Sequence, residues 1–244
     1  MNKRKSFLYS QKFCLFIVLL LVSCRSNSKD VFDYSQLSSN DREIIINQID
    51  SLKRSNKFYK IIFKELDRLE KPIVFFIKND VEIAGFVPNK ATKGGNIIFT
   101  DINKIYNEHV IVEEIFHAFQ YSFYGKNSMI KNDKGEVVGG PNYEYEAKLM
   151  RAIVNLSQNK PAAETPSQKG LLDFTLSLIN ENGNITSFEF TENQHKLYIN
   201  LVKHFQIHWK QRNINEERNS LYDDPIIENL GPKACLHILK IYYL

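Results

Sequence analysis

Residues 105–125 read IYNEHVIVEEIFHAFQYSFYG, an almost wholly apolar run interrupted by Glu113, Glu114 and His117. Asp101 or Asn103 can cap a helix entering the run, and Gly125 can end it. In such a helix residues four apart share a face about 6 Å apart along the axis, so Glu113 and His117 project together. Glu114 lies one residue round. Among Val110, Val112, Ile115, Phe116, Ala118 and Phe119, carboxylates cost several kcal/mol unless they are paired or coordinated. A solvated helix edge beside a satisfied core histidine is the plain structural explanation; a metal or catalytic site is the functional one.

Upstream of this helix, SSNDREIIINQIDSLKRS (38–55) has a capping start and helical spacing, and FYKIIFKELDRLE (58–70) predicts a second helix. PIVFFIK (72–78) is a short β-branched and aromatic run bounded by Pro72 and Asn79, which predicts a strand. VEIAGFVP (81–88) is its expected partner, and NIIFTD (96–101) is a third strand just before the central helix. Downstream, KNSMIKNDKGEVVGGPN (126–142) carries turn signals and predicts an exposed hairpin or loop. NYEYEAKLMRAIVNLSQ (142–158) resumes helical spacing, KPAAETPSQKG breaks it, and further helices are expected at GLLDFTLSLIN, ENQHKLYINLVKHFQIHWKQ and PKACLHILKIYYL. The expected class is α+β: one helix-rich domain over 38–244, with a small sheet placed before the motif helix.

The N-terminus is of a different kind. Lys3, Arg4, Lys5 and Lys12 lead into FCLFIVLLLV and then Ser23 and Cys24, the pattern of a secretory signal over residues 1–23. Its apolar core falls short of the roughly 20 residues that a spanning helix needs. Leu21, Val22, Ser23 and Cys24 resemble a bacterial lipobox, which implies cleavage before Cys24 and a thiol carrying diacylglycerol, with palmitate on the lipidated terminus. The polar residues 24–37 then read as a flexible tether from membrane to domain. Ser28, Lys29 and Asp30 faintly resemble the signals that send some Bacteroidetes lipoproteins to the cell surface. The expected location is the bacterial envelope, on the outer membrane.

Removing the signal takes four of 32 basic residues and leaves 28, equal to the 28 acidic ones. A neutral mature chain lacks the cationic surplus that a phosphate backbone requires, so nucleic acid is not an expected partner. Of three cysteines, Cys14 leaves with the signal and Cys24 takes lipid, so Cys235 has no intrachain partner.

Two features single out the central helix: His-Ala-Phe-Gln at 117–120, and a second acidic pair, Glu144 and Glu146, one helix later. Together they make residues 94–156 resemble the gluzincin group of zinc metallopeptidases, whose H-E-x-x-H motif differs from EEIFH by one letter. The resemblance implies that Glu114 is the general base, His117 a metal ligand, and Glu144 the third ligand, with Glu146 as fallback. It also makes NIIFTD the edge strand along which an extended peptide substrate lies. Glu113 stands where the family has its first histidine. Carboxylate oxygen can bind zinc at about 2.0 to 2.2 Å, so Glu113 is a candidate ligand, though two glutamates and one histidine shift the preference toward manganese or iron. Either an active metal-dependent peptidase or a pseudopeptidase with a peptide-binding cleft is consistent with this set, as is an envelope interaction protein without metal.

Other readings use the same residues. Glu114-x-x-His117 and Glu192-x-x-His195, with Glu144 or Glu146 and Glu65 or Glu70, make the ligand inventory of a ferritin-like di-iron protein. His109 lies two turns from His117, too far to share an ion on a straight helix, and is at best a partner of Glu113. His204 and His208 have metal-compatible spacing without a nearby acidic ligand. Tyr143 and Tyr145 could donate to an oxyanion or simply pack.

Overall fold

The computed structural model describes residues 31–67, 72–78, 83–89, 94–125, 130–131, 137–160, 165–179, 190–212 and 224–243. The signal, Cys24 and Ser28–Asp30 lie outside them, as does Glu70. Among the described residues no helix is long and apolar enough to cross a membrane.

The class is α+β: the described residues form a helix-rich unit with a small four-stranded sheet and a separate two-stranded one. Packing begins earlier than the tether expected over 24–37 allows. Val31, Phe32 and Tyr34 are buried, and β1 (Phe32–Asp33) pairs in parallel with β2 (Ile73–Ile77). Tyr34 stacks on Phe75 and the Phe32 ring packs tilted against it, so with Val31 three apolar residues that look like linker in sequence join the core.

Helix α1 (Ser39–Ser55) starts where the Ser38 hydroxyl accepts the Asp41 amide at 3.1 Å, and it buries Ile45, Ile49 and Leu52 at successive turns. Asn56 breaks the chain into extended backbone and caps α2 (Lys57–Leu66) by accepting the Phe58 amide at 2.7 Å. The strand order is β1-β2-β4-β3, with β3 at Ala84–Pro88 and β4 at Gly95–Phe99. Two expectations are corrected here. β2 pairs in parallel with β4 rather than with β3, and NIIFTD is an interior strand, not the edge. The edge is β3, antiparallel to β4. Burial explains the exchange: Ile97, Ile98 and Phe99 are covered on both faces, whereas Val87 is exposed and Pro88 has no amide to give a further neighbour. Gly95 leaves room for the Phe86 ring, whose Cε2 would stand 2.4 Å from any Cβ there.

From β4 the chain makes a short 3-10 helix, Ile102–Tyr106, capped by Asp101, and only then enters α3 (Glu108–Tyr124). The cap of α3 is therefore Asn107, which accepts the His109 amide at 3.1 Å, rather than Asp101 or Asn103. Gly125 ends the helix at φ 70°, a conformation that favours glycine. A two-stranded hairpin, β5 (Ile130–Lys131) with β6 (Val137–Val138), leads to α4 (Gly140–Ser157). Gly139 starts α4 in the left-handed region and donates its amide to Pro225 at 2.8 Å. Helices α5 (Leu171–Leu178), α6 (Glu192–Arg212) and α7 (Lys233–Tyr243) pack behind α4, where Tyr145, Tyr198, Phe174 and Phe205 fill the interior.

Candidate metal centre

Helices α3 and α4 run antiparallel, which the pairs 113 with 148 and 117 with 144 show directly, and Tyr124 reaches back to Glu146. That crossing brings together side chains 22 to 35 residues apart in sequence. Ligand-capable atoms of Glu113, His117 and Glu144 all lie within 4.8 Å of one another, and no other group of three His, Cys, Asp or Glu does so among the described residues.

The geometry fixes the state of the imidazole. Gln120 donates its amide to the Tyr143 carbonyl at 3.0 Å and to Glu146 Oε2 at 2.8 Å, so its own oxygen must face His117 Nδ1, 2.8 Å away. The Nδ1 atom therefore carries the proton. Burial holds His117 down at about 4, leaving Nε2 a lone pair at neutral pH. That lone pair faces Glu144 Oε1 at 3.4 Å. Two acceptors so placed need something positive between them, a proton or a metal cation.

Burial raises Glu144 to about 7. Glu114 is raised further, to about 8, by burial first and by the charge of Glu144 second, while the Phe86 amide of the edge strand donates to it. The general-base candidate is thus tied to β3, whose Phe86 ring packs against Tyr121 of α3 with centroids 6.0 Å apart. Glu113 is engaged from α4: Lys148 is in direct contact with its Oε1, and Arg151 is 3.8 Å from its Oε2. Burial, with the Arg151 charge adding to it, pulls Lys148 down to about 7.

Glu146, the fallback ligand, belongs elsewhere. It accepts from Gln120, from the Tyr124 hydroxyl at 2.9 Å and from the Cys235 amide at 3.0 Å, and so serves as the buried anchor between α3, α4 and α7. Burial still raises it to about 7 against the pull of these donors. Its separation from the cluster leaves Glu144 as the carboxylate that α4 contributes.

No protein-family model, curated protein or solved structure matches this chain. The chemistry of the site is therefore the guide to its function.

The di-iron inventory is scattered among the described residues. Glu192 is exposed and pairs with Lys196 at 2.6 Å, His195 Nε2 meets the Glu228 carbonyl at 2.7 Å, and Glu65 meets His237 at 3.1 Å. The rings of His204 and His208 lie 4.3 Å apart, but His204 Nε2 is taken by the Pro166 carbonyl at 3.1 Å. Tyr145 is wholly buried in the helical core and is no oxyanion donor; Tyr143 packs edge-on against Tyr124 and contributes its carbonyl to Gln120. His109 Nδ1 is buried without a hydrogen-bond partner, and desolvation followed by the Arg151 charge lowers its basicity.

Gln120, Lys148 and Arg151 were not among the sequence candidates. Spacing could have found them: 113, 117 and 120 fall on one face of α3, and 144, 148 and 151 on one face of α4. A lysine and an arginine on a helix ordinarily read as solvated surface, and only the crossing of the two helices turns them inward.

Proposed function

We propose that this chain is an envelope lipoprotein, anchored through Cys24, whose folded part is a gluzincin-like metallopeptidase domain holding one divalent cation at Glu113, His117 and Glu144. The observation that carries this reading is the facing pair of acceptors, His117 Nε2 and Glu144 Oε1, 3.4 Å apart and oriented by Gln120. An imidazole whose other nitrogen is held by a hydrogen bond is the usual form of a metal-binding histidine. The donor set suits zinc, and its two carboxylates suit manganese or iron.

A divalent ion bound there supplies Lewis acidity toward a peptide carbonyl. Glu114 accepts the proton of the attacking water, a role that fits a carboxyl raised toward neutral pH. The edge strand β3, whose Phe86 amide reaches Glu114, carries the exposed Val87 and follows the exposed Ile83, and such a sheet edge is where an extended peptide can add.

A second reading has its own observation. Lys148 and Arg151 already neutralise Glu113, so the cleft can persist without metal as a peptide-binding pseudopeptidase. Metal analysis of the purified protein beside its Glu113→His variant separates the two. Native zinc, manganese or iron that the substitution increases supports the metal site; no uptake by either protein overturns it. For the anchor, Cys24→Ser should release the protein from membranes, and unchanged retention would exclude lipidation.

A further inference from the structure

We infer that the Lys148 ammonium is a built-in competitor of the divalent cation for Glu113, so that this site loads by exchanging one cation for another. The inference rests on the metal-site reading and adds a positioning residue outside the ligand set.

Lys148 and Glu113 are in direct contact, and each side chain is only 13% exposed. Poorly hydrated charges attract strongly, so the carboxylate oxygen facing the ammonium is not free to give the same electron density to a metal ion. A dication arriving beside the ammonium is also repelled by it. Loading therefore requires the lysine head to leave Glu113. The four-carbon stem of lysine permits that movement, and Arg151, 3.8 Å from the other oxygen, stays as a weaker counter-charge. Lys148 sits one turn from Glu144 on the same face of α4, so the residue that blocks one ligand rides on the helix that supplies another. A histidine at 113 would have no carboxylate for the lysine to hold. The exchange is thus specific to the glutamate that distinguishes this chain from H-E-x-x-H.

The test is a double-mutant cycle on the full chain in detergent, read as zinc affinity by competition with a chromophoric chelator. K148M should raise zinc affinity at least about tenfold when Glu113 is present, but by less than about threefold in the E113H background. K148R should keep the low native affinity. Equal effects in both backgrounds, or no gain from K148M, overturn the competition. If K148M does not fold, amine acylation of the unmodified protein decides the matter by peptide mass spectrometry. Saturating zinc should accelerate modification of Lys148, and an unchanged or slower rate overturns the inference. Zinc binding by E113H with no gain from K148M leaves the metal site standing without its competitor; no binding by any variant removes both.

Discussion

Gln120 Oε1 lies 2.8 Å from His117 Nδ1, and this contact decides which imidazole nitrogen is left for a ligand. Because the Gln120 amide is committed to Tyr143 and Glu146, the glutamine cannot turn over without losing two hydrogen bonds. Gln120→Met keeps the volume and removes the acceptor. Zinc affinity should fall about 10- to 100-fold, the usual cost of losing such a partner, measured by chelator competition. An unchanged Kd would mean that Gln120 does not orient the ring for metal.

Glu144 and Glu146 should separate cleanly. Glu144→Gln should abolish zinc binding while leaving urea stability close to native, since an amide can donate to His117 Nε2. Glu146→Gln should retain zinc but lose about 1–3 kcal/mol in urea unfolding, because an amide cannot accept from Tyr124, Gln120 and the Cys235 amide together. The reverse pattern would make Glu146 the ligand.

Glu114→Gln tests the base. Zinc affinity should stay within about threefold of native while any peptide hydrolysis drops about 10²- to 10⁴-fold. Hydrolysis that survives the substitution would assign the proton transfer to another group. Absence of turnover in the unmodified, zinc-loaded protein would favour the pseudopeptidase.

Stability should depend on pH in a direction set by buried carboxyls. Glu114, Glu144 and Glu146 are raised from 4.5 to about 8, 7 and 7, so their contribution is complete below about 4.5 and is lost as pH rises through 7 to 8. His117, lowered from 6.5 to about 4, opposes this between about pH 4 and 6.5. Three groups outweigh one, and the metal-free protein should melt at a lower temperature at pH 7 than at pH 5. Zinc needs the ionised Glu144, so its stabilising effect should grow over the same range. Thermal melts with zinc and with chelator at both pH values check this, and a higher metal-free melting temperature at pH 7 would contradict the assignment.

The helices were legible because their signals are local. Ser38, Asn56 and Gly125 act on residues within one turn, and the EEIFH spacing alone places Glu113 and His117 on one face. The strands were legible as strands but not in their order. PIVFFIK is equally apolar beside either neighbour, and what sends AGFVP to the outside is the burial of Ile97 to Phe99 beneath the helices, which no single strand encodes. Val31 to Tyr34 were lost for the same reason: a two-residue strand has no periodicity, and its place is set by Phe63 and Phe75.

By itself the sequence determined which residues could do chemistry, because residue type and helical spacing are properties of one segment: Glu113, Glu114 and His117 on one helix, and two glutamates on another. The choice between those glutamates belonged to the tertiary structure. Two residues apart on a helix they point about 160° away from each other, and only the antiparallel packing of α3 on α4 sends Glu144 to His117 and Glu146 to Tyr124 and Cys235. The same packing brought Lys148 and Arg151 to Glu113, giving that carboxylate the counter-charge its burial requires.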